Sequence, residues 1–421
     1  MIHPFTARNP VKAALLIDGT FMPARDGAST RFANLTPRLV RAGAGVQVYH
    51  CFRGWSSLDL IALQEFDTYF FPEKVFYGSP ELLARLMLRN RVDILQANDL
   101  ESMVSLGFGL AREVGCFSVM ESHYHSSTLA RQMGCSRAAI ERLERLEAAV
   151  ASGVDAIFVF TPQDRERWMF LTGADPGKVL VIPCGVTRTK PPAGEKSLSM
   201  AFLGNMYFEP NARALRVILD SILPGVREKW PGVRLRVIGD LPAAAEREIR
   251  EAGVDVLGEV PDVQAELHSC ALGLAPVNEG TGLRTKILDY LAAGLPVVAT
   301  AVAAEGLAFP ALFVRDSIDE MVKTCCELLS GDWAQAEVRQ SQKMLEDSFL
   351  WETIAAQTAE AYAGIRRKER LPAPPPGAAA WTRPMWLAEV VDKGRFTLDD
   401  TEASSPYSYG LAGSGRIEYF S

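Results

Sequence analysis

Between residues 271 and 300 the chain reads ALGLAPVNEGTGLRTKILDYLAAGLPVVAT, and few folds can accept that order of residues. Ala271 to Val277 has the length and apolar content of a buried strand, and Asn278 to Gly282 is a loop of glycine and small polar residues. Leu283, Ile287, Leu288 and Leu291 then recur at helical spacing, which predicts a helix over Leu283 to Ala293. Gly294 stands where a helix C-terminal cap belongs, Pro296 bars continuation, and Val297-Val298 opens a second strand. Strand, glycine loop, helix and strand in that order is the connectivity of a parallel sheet.

The same stretch carries a chemical reading. A helix opening after a loop directs unpaired N–H groups and partial positive charge into the crevice. Gly280 and Gly282 let a ligand approach the backbone, and Thr281 adds a hydroxyl. Arg284 and Lys286 put cations in the first turn, where the helix dipole disfavours them unless an anion such as a diphosphate balances them. Asp289 follows Lys286 by three residues and could accept hydrogen bonds from ribose hydroxyls. Alternatively, Lys286 and Asp289 form an exposed ion pair worth a few tenths of a kcal/mol. Spacing alone leaves both open.

Upstream, Ala13 to Ile17 reads as a strand, Asp18 to Ser29 as a loop with Gly19 and Gly27, and Thr30 to Ala42 as a helix despite Pro37. Val46 to Tyr49 returns as a strand, a second parallel unit. Glu81 to Leu88 and Glu101 to Val114 look helical. Val92 to Ala97 and Cys116 to Met120 are strands, ending in Asn98-Asp99 and Glu121-Ser122-His123-Tyr124-His125. Polar residues at the carboxyl ends of parallel strands face the ligand crevice, which makes His123 and His125 candidates. The competing reading ties such a histidine to a loop carbonyl. The two are not expected to share a metal.

Arg137 to Ser152 is an amphipathic helix whose charged face, Glu141, Arg142, Glu144, Arg145 and Glu147, is expected to be solvated. Lys190 to Lys196 is a polar Pro/Gly linker. Met200 to Leu203 is a strand running into a turn at Gly204-Asn205, and Ser348 to Arg367 is a long helix. After it come a Pro-rich run, Leu371 to Gly377, and a tail holding Trp381, Trp386, Tyr407, Tyr409, Tyr419 and Phe420. That tail either packs on the body or binds a partner.

At 421 residues, 48% hydrophobic and 23% charged, the chain reads as a soluble protein with room for two cores. A net charge of −7 argues against a general nucleic-acid binder. Seven cysteines with no CxxC spacing suit a reducing compartment, and the start MIHPFTARNP has no secretory character. The expected location is cytoplasmic, with peripheral attachment at the inner face of the membrane left open.

The central stretch resembles the donor-nucleotide motif of GT-B glycosyltransferases, especially the retaining family 4 type (glycosyl transferases group 1). The matching elements are Glu279, Gly280-Thr281-Gly282, Arg284, Lys286, Asp289 and Ala292 to Val298. Two departures stand out: the second acid is Asp289 where Glu is usual, and the acids lie further apart than in the family. The resemblance implies an α/β, GT-B chain of two doubly wound Rossmann-like domains facing across a cleft. Residues 1–189 would form the acceptor side, 197–347 the nucleotide-sugar side, 348–368 a crossover helix, and 369–421 the linker and tail.

It also implies transfer of a sugar from a nucleotide-sugar donor to a sugar, glycan or lipid-linked acceptor, with retention and with neither cofactor nor metal. Polysaccharide or glycan assembly is the implied setting. By resemblance His123 meets the sugar and reaction face, Glu279 the sugar hydroxyls, Arg284 and Lys286 the diphosphate, and Asp289 the ribose. Gly204 and Asn205 form the diphosphate turn, where the family often has Arg or Lys, and Asp18 and Gly27 belong to the acceptor-side loop. The alternatives are a nucleotide-sugar epimerase or hydrolase on the same fold, and a non-catalytic nucleotide-sugar-binding protein.

Overall fold

The structure, a computed structural model, describes residues 10–18, 21, 26–52, 64–187, 197–331 and 334–367, with the backbone of 417–419. The expected linker from Lys190 to Lys196, Gly19, and the tail residues Trp381, Trp386, Tyr407, Tyr409 and Phe420 lie outside the described residues.

Two sheets organise the chain, and every neighbouring pair of strands is parallel. The first holds β1 (Lys12–Asp18), β2 (Gly45–Phe52), β3 (Asp67–Pro72), β4 (Ile94–Ala97), β5 (Phe117–Glu121), β6 (Ala156–Val159) and β7 (Val179–Val181). The second holds β8 (Ser199–Leu203), β9 (Arg234–Ile238), β10 (Asp255–Gly258), β11 (Leu272–Ala275), β12 (Val297–Ala299) and β13 (Leu312–Val314). A last strand, β14 (Ile417–Tyr419), joins the first sheet beside β3. The orders are β14-β3-β2-β1-β4-β5-β6-β7 and β10-β9-β8-β11-β12-β13. These are the doubly wound α/β units that the sequence predicts.

Helices cover both faces of such sheets, so the strands are apolar on both sides. Ala13 to Ile17 and Leu272 to Ala275 are accordingly buried throughout. In each sheet the chain leaves the first central strand toward one edge and returns to build toward the other. This creates switch points between β1 and β4 and between β8 and β11, beyond whose carboxyl ends a crevice opens.

The helices bearing on that crevice are α1 (Gly27–Arg41), α2 (Ser126–Gln132), α3 (Arg137–Gly153), α4 (Pro162–Thr172), α5 (Glu209–Val217), α6 (Val263–His268), α7 (Thr285–Ala292) and α8 (Trp351–Arg366). α1 starts at a capping box: Asp26 Oδ1 accepts the Ser29 N–H at 2.8 Å, and Ser29 Oγ accepts the Asp26 N–H at 2.9 Å. α8 returns from the second half to the first. Its Glu352 pairs with Arg38 at 2.8 Å, and its buried Tyr362 donates to Gln96 Oε1 of β4 at 2.6 Å.

The structure corrects one reading and bears on another that the sequence leaves open. Glu147, expected on the solvated face of α3, is buried and accepts the Ser127 N–H at 2.9 Å. Its acidic neighbours do stay at the surface, Glu141 with Arg137 and Glu144 with Arg131. Of the two alternatives for the tail, packing on the body holds for Ile417–Tyr419, which caps the edge of β3. A chain stopped after Arg370 should therefore fold but lose protection at this edge. Amide exchange over 68–70, measured by mass spectrometry in both lengths, is expected to accelerate in the shorter chain; equal protection would show that β14 contributes no pairing.

Candidate active site

At the β8/β11 switch point the position of α7 is set by Tyr290, which is buried. Its hydroxyl accepts the Leu203 N–H at 2.6 Å and donates to the Leu274 carbonyl at 3.1 Å, tying the helix to the ends of both strands. Lys286, one turn earlier, is thereby held under the Gly204 turn with only 8% of its surface exposed. Its ammonium donates to Asn211 Oδ1 of α5 at 2.8 Å and lies 4.5 Å from the centre of the Phe202 ring. A Cβ on Gly204 would come within 2.9 Å of the Asn211 amide and 3.1 Å of Lys286 Nζ, so glycine there leaves room for this arrangement.

Among the described residues no carboxylate offsets Lys286. Burial, and then the neighbouring Arg284, bring its pKa down to about 7. Asp289 makes no ion pair with it among the described residues, and burial pushes that carboxyl up to about 7. The exposed i,i+3 pair is therefore not what forms. Asp289 instead lies close enough to Cys184 in the first half to help raise that thiol to about 11, after the larger effects of burial and Glu121.

The glycine loop differs from expectation. Arg284 turns back and donates to the carbonyls of Thr281 at 2.7 Å, Gly282 at 2.9 Å and Glu279 at 3.0 Å. It shapes the loop, and α7 begins only at Thr285. The loop N–H groups expected to face a ligand are taken by the first half: Gly280 donates to Gln132 Oε1 at 2.6 Å and Gly282 to Asp164 Oδ1 at 3.3 Å. Thr281 Oγ1 accepts the His125 N–H at 2.8 Å. Gly282 has φ +82°, and a Cβ there would collide with the His123 carbonyl oxygen. It is the chain's own backbone, not a ligand, that this glycine admits.

Glu279 Oε1 lies 2.6 Å from Arg213 of α5, and its other carboxylate oxygen is buried with no partner among the described residues. Asn205 Oδ1 accepts the Tyr207 N–H at 2.9 Å and closes its own turn. On the opposite side, a Cβ on Gly27 would lie 3.6 Å from Thr285 Oγ1, so the amino ends of α1 and α7 face each other. Asp18 accepts a hydrogen bond from the Tyr77 hydroxyl, whose pKa burial and Asp18 raise.

The two histidines separate clearly. The His123 ring lies between Phe32 and Phe160, with centroids 5.5 and 5.2 Å away, and keeps 14% exposure. Its Nε2 is 3.2 Å from Glu121 Oε1. His125 is buried, with Nδ1 3.1 Å from Thr128 Oγ1 and 3.3 Å from Glu147 Oε1. Burial, then Arg167 and Arg131, lower it to about 3, while burial raises Glu147 to about 7. His125 is thus a neutral core residue whose backbone alone reaches the glycine loop.

Sequence reasoning missed Arg31, Glu121, Asn211, Gln132, Asp164, Arg167 and Tyr290. Glu121 had a signal, since it ends a parallel strand beside the chosen histidines. Asp164 closes the Thr161 cap, whose hydroxyl accepts the Asp164 N–H at 3.0 Å, and Arg167 links it to Glu305 through contacts of 2.6 Å to each. The others meet the site only through tertiary approach.

An uncompensated buried lysine should be visible in stability. In the unfolded chain Lys286 titrates near 10.5 and in the folded chain near 7. Its penalty is full below pH 7, shrinks as the unfolded state alone keeps the proton, and is gone above about pH 10.5. Ligand-free Lys286→Met is therefore expected to be more stable than the parent near neutrality, with the gap closing as pH rises. Urea midpoints over this range check it; a gap that does not change with pH would show that Lys286 is solvated.

Two family models match the chain: Glycosyltransferase Family 4 over residues 25–190 and Glycosyl transferases group 1 over residues 198–331. No curated protein matches the sequence. Among solved structures, Anabaena HepE in complex with UDP and glucose aligns with TM-score 0.62 at 14% identity, over 84% of this chain and 100% of that one. A glycosyltransferase from Rickettsia africae gives 0.66 at 11%, over 86% and 100%. The Thermosynechococcus elongatus sucrose-phosphate synthase gives 0.62 at 17%, over 84% and 99%. With both halves matched by family models and the architecture shared with these enzymes, the chain belongs to the group 1 and family 4 glycosyltransferases of the GT-B fold.

Proposed function

We propose that the protein moves a sugar, with retention of anomeric configuration, from a nucleoside-diphosphate sugar to an acceptor hydroxyl in polysaccharide or glycan assembly. The observation that carries this is Lys286, a buried cation with no carboxylate partner among the described residues, beside the facing amino ends of α1 and α7. Two helix N-termini and a desolvated ammonium favour the charge that builds on a departing diphosphate, without a metal. Arg284 adds charge while shaping the loop, and the backbone at Gly204-Asn205 completes the turn around the phosphates. Asp289, near its midpoint at neutral pH, suits a ribose hydroxyl. His123 faces the sugar, Glu279 its hydroxyls, and acceptors enter along Asp18 and Gly27. That Anabaena HepE holds UDP and glucose supports UDP-sugars as first probes.

A binding-only reading draws support from Glu279, whose carboxylate is engaged by Arg213. Turnover separates the two. No helix among the described residues is long and apolar enough to cross a membrane, so a lipid-linked acceptor would be met from the surface.

UDP at 100 times its dissociation constant should add about 2.7 kcal/mol to stability. Lys286→Ala should weaken UDP binding by about 1.5–3 kcal/mol, measured by calorimetry, while the protein stays folded. His123→Ala should reduce turnover of UDP-glucose far more than UDP affinity, because UDP lacks the sugar. His125→Ala should mainly destabilise. A folded His125→Ala with the greater turnover loss reverses the assignment, and tight UDP binding with no turnover of any UDP-sugar favours the binding protein. Product anomers read by NMR decide retention.

A further inference from the structure

Beneath His123 lies a polar cluster that the sugar-transfer reading does not use. Arg31 of α1 and Glu121 of β5 meet at 2.9 Å with no exposure on either side chain. Arg31 also donates to the Pro183 carbonyl at 2.7 Å and lies 4.6 Å from the centre of the Phe160 ring. The Gln96 amide donates to Glu121 Oε2 at 3.3 Å and to Asn98 Oδ1 at 3.0 Å, while its oxygen accepts from Tyr362 of α8. Every neighbour of Glu121 Oε2 is thus a donor.

The other oxygen, Oε1, faces only His123 Nε2, 3.2 Å away. Both atoms are buried, and at this separation neither completes a hydrogen bond, with the other or with any group among the described residues. Burial alone would raise the Glu121 carboxyl, but Arg31 and His123 hold it at about 2. An ionised carboxylate can only accept, so a hydrogen bond that closes this gap needs the proton on Nε2. His123 Nδ1, with no partner among the described residues, is then the ring's free lone pair.

We propose that Glu121, paired with Arg31, is a positioning residue that fixes the His123 imidazole as its Nε2–H tautomer and leaves Nδ1 as an acceptor for a hydroxyl of the bound sugar. The second half of this rests on the sugar-facing role given to His123 above. The arrangement also links the crossover helix to the reaction face, through Tyr362, Gln96 and Glu121 in turn.

The test uses the full chain labelled with 15N-histidine, which contains five histidines. Spectra are taken at about pH 9, above the ordinary imidazole range. His123 is assigned by its absence from His123→Ala. The parent should show a protonated Nε2 and an unprotonated Nδ1. In Glu121→Gln the single amide oxygen must accept from Arg31 and Gln96, which turns the NH2 toward His123. Nε2 then accepts, and the ring should invert to Nδ1–H. An Nδ1–H ring in the parent, or an unchanged ring in Glu121→Gln, overturns the proposal.

Leaving Arg31 beside a neutral amide can itself unfold the chain, whereas replacing both members of a buried pair is often tolerated. In Arg31→Met with Glu121→Leu, the His123 spectrum should move to the average of exchanging tautomers; a single fixed Nε2–H form there also overturns it. Turnover of UDP-glucose supplies the functional arm. Glu121→Gln should lower it by about tenfold, the order expected for one charge-assisted hydrogen bond, and should lower it no further in a His123→Ala background. Additive losses mean that Glu121 acts by another route. Unchanged turnover in His123→Ala would instead refute the sugar-facing role, and the spectra would still decide the tautomer.

Discussion

The backbone contact at Gly282 is the constraint on which the cleft depends. With no Cβ, this residue brings the Glu279-to-Arg284 loop against the carbonyl of His123, and three polar contacts hold it there. Two use loop N–H groups and one uses the Thr281 hydroxyl, while Arg167 ties Asp164 to Glu305 beyond the loop. Because the same loop leads directly into α7, the docking that brings the halves together also sets where Lys286 and Asp289 lie relative to His123. A displacement of the loop would move both sides of the reaction space together.

The cleft contains two kinds of buried charge, and the contrast is informative. Arg31 and Glu121 are mutually neutralised, and Glu121 is further hydrogen-bonded by Gln96. A closed pair of this sort contributes little net stability but holds geometry, because its donors and acceptors admit few alternatives. Lys286 and Asp289 are the opposite. Each is desolvated without an opposing charge among the described residues, and each is pulled toward its neutral form. Leaving them so destabilises the empty protein, and a ligand bearing phosphate and hydroxyl groups would relieve it. The closed pair lies under the sugar-facing histidine and the open pair lies where the nucleotide is proposed to sit.

Much of the fold was legible in the chain. Strands buried on both faces appear as continuous apolar runs, and helices show their period and their caps; these are short-range consequences of backbone geometry. The stretch from Ala271 to Thr300 therefore disclosed a parallel sheet, and Gly294 and Pro296 ended its helix where the structure does. The start of that helix was placed too early because the apolar period includes Leu283, while Arg284 spends its donors on loop carbonyls. β3 and the return of Ile417–Tyr419 beside it escaped notice, since pairing between segments so distant leaves no local period.

Residue types and spacing determined which groups carry chemistry: two cations, two acids, a glycine loop and a pair of histidines. Only the tertiary structure decided their partners. Lys286 and Asp289 are three residues apart, yet Lys286 reaches Asn211 and makes no ion pair with Asp289 among the described residues. His123 and His125 are two apart, yet one meets Glu121 at the cleft and the other Glu147 in the core. Glu147 sits on the polar side of its helix by sequence, but α2 covers it. The physical reason is the same each time. Periodicity reports the face a side chain leaves from, whereas burial and charge depend on what long-range packing brings to meet it.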